Sequence, residues 1–163
     1  MLLLAHEQPG RSVAGRWSLW HRDAVNPAGW RQVLLSDDAY ALKPPSSVAA
    51  VAQVESLLGV DLPADLRALY LATDGVFDKA GQWFVCWPLD EVIKRNQEAW
   101  AQEAGIRRQL VGFGDDGTGS PFCVSTSGSG HVFIWDPIDA VAYPLATNLA
   151  DFWRGWHAGT LKT

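Results

Sequence analysis

Two adjacent carboxylates in a glycine-rich bend, Gly112-Phe113-Gly114-Asp115-Asp116-Gly117, are the residues of this chain whose types and spacing come nearest to chemistry. Such a bend serves as a phosphate loop, a divalent-cation site or a plain acidic turn. The glycine spacing is that of a dinucleotide-binding fingerprint, in which a strand gives way to a helix whose free amides hold a pyrophosphate. Here Thr118-Gly119-Ser120-Pro121 and a strand-like run follow, so no helix N-terminus is on offer, and two aspartates repel a phosphate. A hard cation wants more oxygen ligands than two carboxylates supply, and the alternate acids and later glutamate of a calcium loop are missing. Asp136 and Asp139 join the pair only if the fold brings them together. The bend therefore reads first as a turn in which aspartate bonds its own backbone, and neither cofactor nor resident metal is expected.

The remaining reactive side chains are scattered. His6, His21, His131 and His157 lie far apart, and none sits at helical ligand spacing from another His, Cys or Glu, which argues against zinc. Ser125-Thr126-Ser127-Gly128 is rich in hydroxyls but lacks the nucleophile elbow and a partner histidine, so turn chemistry explains it better. Cys86 and Cys123 each stand in an apolar run, where a thiol behaves as a small buried hydrophobe and no disulfide framework is implied. Glu55 falls among Val51, Val54 and Leu58 on the apolar side of a helix. A salt bridge or a cap on a neighbouring element is expected there before an acid-base role, since a lone carboxylate makes poor acid-base machinery.

The elements that must position these residues follow from periodicity. Phe122 and Val124 alternate with Cys123 and Ser125, and Val132 and Ile134 with Phe133 and Trp135, the signature of two half-buried strands. Gly128-Ser129-Gly130 supplies the positive torsions of the hairpin between them. Upstream, Ser46 and Ser47 cap a helix carrying Val48, Val51, Val54 and Leu58 and ended by Gly59. Asp61-Leu62-Pro63 opens a second helix with Leu66, Leu69 and Tyr70 buried, proline taking its first position, and Asp74-Gly75 closes it. Residues 82–87 give an aromatic strand. A third helix runs over about 89–104, with Asp90 and Glu91 in its first turn, Leu89, Val92, Ile93 and Trp100 along one face and Gly105 as its stop. Residues 141–143 suggest a further strand, and Asn148 with Asp151 a capping box before the stripe Leu149, Phe152, Trp153 and Trp156.

Length and composition bound the whole. At 163 residues, 48% apolar and 19% charged, the chain suits one ordered domain with one core. Residues 1–41 read as a peripheral segment holding Trp17, Trp20 and Trp30, in which Trp30, Val33, Leu34 and Leu35 add an edge strand or a short helix; residues 42–163 are the core. Of nine tryptophans, Trp83, Trp87, Trp135, Trp153 and Trp156 lie on elements with apolar periodicity, so packing accounts for most and an interface for one or two. The formal net charge of -5 with a pI near 5.2 speaks against a nucleic-acid partner and for a basic one. Charge is uneven: Arg11, Arg16, Arg22 and Arg31 outweigh Glu7 and Asp23 early on, whereas Asp115, Asp116, Asp136, Asp139 and Asp151 later face only Arg154 and Lys162. The opening Met-Leu-Leu-Leu-Ala is too short for a signal-peptide core and no run has membrane-spanning length, so the cytoplasm is the expected compartment.

Several of these motifs stand in an order that resembles the SUKH superfamily, the Smi/Knr-like domains. Pro44-Pro45-Ser46 leads to Val54-Glu55-Ser56-Leu57-Leu58-Gly59, then Leu62-Pro63-Ala64-Asp65-Leu66 and Thr73-Asp74-Gly75. Val111-Gly112-Phe113-Gly114-Asp115, the Phe122 strand, the glycine turn and residues 132–136 are similar to that superfamily's central strands. The resemblance spans about residues 42–156 and leaves the Trp- and Arg-bearing N-terminal segment outside. It implies a single α+β domain, with a mixed, mostly antiparallel sheet flanked by about four helices, and it implies no catalytic residues. Members include yeast regulators of cell-wall synthesis and bacterial immunity proteins that neutralise toxins, often nucleases.

Composition and resemblance together point to a non-enzymatic, cytoplasmic protein-binding domain, first of all an immunity protein covering the basic active site of a cognate toxin. Asp115, Asp116, Asp136, Asp139 and Trp135 are the candidate contact residues. A regulatory or scaffolding domain without a toxin is the alternative, and a small metal-dependent enzyme using the aspartates is a third.

Overall fold

The computed structural model describes residues 26–103, 105–161 and 163. The expectations for Trp17, Trp20, the early arginines, His6 and His21 fall outside the described residues. The first helix, α1 (Pro27–Leu35), is capped by Asn26, whose Oδ1 accepts from the Ala28 amide at 2.9 Å, and it starts on a proline. Of the two forms expected for this stretch, the helix is the one present. Trp30 and Leu34 are fully buried, because α1 packs on α3 (Ala64–Ala72), with Arg31 Nη1 donating to the Ala72 carbonyl at 3.1 Å.

Between them, α2 (Val48–Leu58) carries the expected Ser47 cap on the Ala50 amide, and it ends at Gly59, whose φ of +65° an L side chain rarely adopts. Pro63 stands at the cap of α3 rather than inside its first turn, one place earlier than expected. The helix also ends before Asp74, at Ala72, with Thr73 already extended. Asp74 acts instead on a later element, where its Oδ1 accepts from the Leu89 amide at 2.8 Å and so caps α4 (Leu89–Gln102), whose own cap position is Pro88. Similarly, Asp65 Oδ2 accepts from the Leu149 amide of α5 (Leu149–His157) at 3.1 Å.

The α+β domain expected from the sequence is observed, with five α-helices among the described residues, and its strands divide into two sheets in which every pairing is antiparallel. The smaller has the order β1 (Tyr40–Leu42), β2 (Val76–Asp78), β3 (Trp83–Cys86). In the larger, β4 (Leu110–Asp115), β5 (Pro121–Ser125), β6 (Val132–Asp136) and β7 (Val141–Ala146) stand in chain order. The sheets meet where the Trp87 amide donates to the Phe113 carbonyl at 2.8 Å and the Tyr70 hydroxyl donates to the Trp87 carbonyl at 3.0 Å. The pairing goes no further because Pro88 has no amide to donate and leads into α4.

Gly112 and Gly114 sit at this join. A methyl on Gly114 would overlap the Val85 carbonyl, so glycine is there for close approach of two backbones, not for a nucleotide. Asn96 of α4 locks the same strand: its Oδ1 accepts from the Gly112 amide at 2.7 Å while its Nδ2 donates to the Gly112 carbonyl at 2.8 Å.

The main core lies between the helices and one face of the larger sheet. Phe113, Phe122 and Phe152 meet edge-on or tilted at its centre, with centroid separations of 4.8–6.4 Å, and Trp156 adds a ring 5.2 Å from Phe122. The half-buried pattern expected for β5 is not what forms. Phe122, Cys123 and Val124 are all buried, because the outer face has its own small cluster of Leu110, Cys123 and Trp135, edged by Phe133 and Ala142. Among the described residues, no helix is long and apolar enough to cross a membrane.

Candidate protein-binding surface

Chain-order antiparallel pairing puts the β4–β5 loop and the β6–β7 loop at the same end of the larger sheet, with the β5–β6 hairpin at the other. Asp115 and Asp116 therefore share an end with Asp136 and Asp139, two strand spacings away, or roughly 10 Å. That meeting is conditional in the sequence; the strand order supplies it.

Each acid is held locally. Asp115 Oδ1 accepts from the Gly117 amide at 2.8 Å, and its Oδ2 accepts from the Trp87 indole at 2.8 Å. Asp116 Oδ1 accepts from the Thr118 amide at 2.9 Å, the Thr118 hydroxyl at 2.7 Å and the Ser120 amide at 3.3 Å. Across the end, Asp136 Oδ1 accepts from the Ile138 and Asp139 amides at 2.8 and 3.1 Å. Asp115, Asp116 and Asp136 are thus turn-forming aspartates whose charge is fixed at the surface by their own loops. Asp139 is exposed. No group of three or more His, Cys, Asp or Glu side chains fit to hold a metal ion occurs among the described residues.

Trp135 lies beneath this end rather than on it, 2% exposed and packed in the outer-face cluster. Apolar side chains that do reach solvent here include Ile138, 91% exposed on the β6–β7 loop. The sequence carries a signal for it: isoleucine in Asp136-Pro137-Ile138-Asp139 sits where a turn ordinarily takes a polar residue.

Other candidates resolve into structural work. Glu55 Oε1 accepts from the Leu62 amide at 2.9 Å, in the connection just before the Pro63 cap of α3, and lies 3.5 Å from Arg67 Nη1, so of the salt bridge or cap expected of it the ion pair is the one that forms. Ser125 and Ser127 share a hydrogen bond of 2.8 Å within the hairpin turn, and His131 is exposed beside it. Burial pushes both the Cys86 and Cys123 thiols up to about 12, which keeps them protonated and unreactive. At the opposite end, an open groove of about 510 Å³ runs between α2 and α4, lined by Leu58, Val60, Gln97, Trp100, Arg108 and Thr126.

Fold and surface define an α+β domain in which Asp115, Asp116, Asp136 and Asn96 hold turns and joins. The chain belongs to the SMI1 / KNR4 family (SUKH-1), whose model matches residues 45–155. No curated protein matches it individually.

Proposed function

We propose that this is a non-enzymatic, cytoplasmic protein-binding domain, and that it acts as an immunity protein occluding the basic active site of a cognate toxin. One observation carries the reading: strand order gathers Asp115, Asp116, Asp136 and Asp139 at one end of the larger sheet. A nuclease site is basic because it holds phosphate, so a rigid acidic end takes the place of substrate and speeds encounter. Membership of the SUKH-1 family supports protein binding in general.

The test is co-expression with a toxin domain encoded beside the gene. Rescue of growth and a complex whose affinity falls as salt rises are expected. Continued killing with no complex would sink the proposal. A regulatory domain of the cell-wall type, the alternative, is the better account if no toxin gene lies alongside and a host protein is retained instead. Calorimetric titration with calcium, magnesium and manganese decides against a metal-dependent enzyme if no heat of binding appears.

A further inference from the structure

The helix-facing side of the larger sheet is covered unevenly. Phe122, Ile134 and Tyr143 stand opposite one another across β5, β6 and β7, so they share a face. Their exposure climbs from 0% through 7% to 48% along that row. α5 covers the β5 end, where Phe152 and Trp156 meet Phe122 edge-on, and leaves the start of β7 open. Two register positions toward the acidic end, and so on the same face, Asp136 pairs with Val141, itself an exposed apolar residue. Val141 and Tyr143 are two apart on one strand and so point the same way.

Ile138, 91% exposed, stands on the adjoining loop three residues before Val141. Asp136 Oδ1 pins the Ile138 and Asp139 amides, and Ala140 holds a φ of +54°, so the isoleucine is presented on a formed turn rather than a loose one. A preorganised apolar side chain loses little freedom on binding.

Strand addition is not the mode. Pro144 lacks a donor in the middle of β7 and a register shift lies opposite it, two devices that blunt a sheet edge. Charge narrows the occupant further. Between Arg108 and Arg154 the chain has five aspartates and no lysine or arginine. A second copy would bring like charge to the rim, whereas a cationic partner is attracted to it.

We propose that Ile138, Val141 and Tyr143 form the apolar centre of the docking surface, with Asp136 and Asp139 as its rim. Its occupant is a partner segment that inserts apolar side chains flanked by lysine or arginine. This rests on the protein-binding reading above and assigns that function to the β6–β7 side of the acidic end.

The probe is a pair of short peptides of equal charge, one alternating lysine and leucine, the other lysine and serine, titrated into the isotope-labelled full chain and followed by amide chemical shifts. The lysine-leucine peptide is expected to move the amides of Ile134, Asp136, Ile138, Val141 and Tyr143. I138K combined with Y143K should weaken it about tenfold, the loss typical of a central anchor. Both side chains are exposed, and an unchanged urea midpoint verifies that the variant folds. Equal binding of the two peptides, no binding of either, shifts centred on the Trp100 groove, or undiminished affinity in the variant would overturn the proposal. So would self-association of the chain alone that the variant abolishes, because a second copy is then the occupant. These outcomes leave the toxin-rescue result untouched: rescue by the doubly substituted variant would retain the immunity role and discard the docking centre.

Discussion

The Trp87 indole donates to Asp115 Oδ2 at 2.8 Å, joining the residue that follows β3 to the last residue of β4 across the meeting of the two sheets. Arg95 lies over the same indole ring, 4.7 Å from its centroid. The first aspartate of the acidic bend is thus a structural acceptor as well as a surface charge. D115A removes the acceptor of both the Trp87 indole and the Gly117 amide, and a loss of about 1–3 kcal/mol is expected in urea unfolding. D139A, which withdraws an exposed side chain, should stay within about 0.5 kcal/mol of the parent. The contrast separates the two carboxylates before any partner is added.

Asn96 satisfies both backbone groups of Gly112 from the buried side of α4. N96L leaves a buried amide and a buried carbonyl unpaired, at an expected cost of about 2–4 kcal/mol. N96D loses the donor to Gly112 and adds a buried charge, so its urea midpoint should also fall well below that of the parent.

At Gly114 a side chain collides with main chain, which cannot rotate out of the way. G114A should therefore cost about 3 kcal/mol or more, at the upper end for overpacking. G119A makes a useful comparison. A methyl at Gly119 meets nothing, and only its φ of +101° resists the change, so a smaller loss of about 1 kcal/mol is expected there. Thermal or urea midpoints of the two variants check the order.

Tyr40 is pushed up to about 12, first by burial and then by the nearby carboxylates of Asp37 and Asp78. A phenol that ionises later in the folded chain than in the unfolded one contributes its full stability below the ordinary value near 10. That contribution is lost as pH rises from there toward about 12, since the unfolded chain gives up its proton first. Buried Tyr70, Cys86 and Cys123 act in the same direction. Stability should decline from about pH 9, where the unfolded thiols begin to ionise, and further above about pH 10, and Y40F should decline less steeply while losing about 1 kcal/mol at neutral pH with the hydrogen bond to Trp156. Urea midpoints measured across the alkaline range read both effects.

Local signals in the chain mark what local physics decides. Ser47, Gly59, Asn148 and the glycine hairpin stand where capping and turn chemistry put them, although the Asp151 carboxylate returns to the Asn148 side-chain amide and not to its backbone. What depends on distant partners is not legible. Asp74 reads as a helix stop and serves as a cap fifteen residues on. Asn96 reads as one more polar residue of a surface helix, because its partner is a backbone group of another element. The division of the sheet turns on one proline and one close approach, and a period-two pattern carries neither. The acidic end is legible as composition, while its convergence requires strand order.

Part of the join between the sheets is main chain: the Trp87 amide on the Phe113 carbonyl, and a glycine lying against the Val85 carbonyl. Main-chain contacts tolerate many side-chain replacements around them. Residues 137–140 lie beyond that join, whereas Gly117 backs onto the Trp83 ring at a φ of +83°. Replacements in the β6–β7 loop are therefore expected to alter the acidic end without disturbing the meeting of the two sheets.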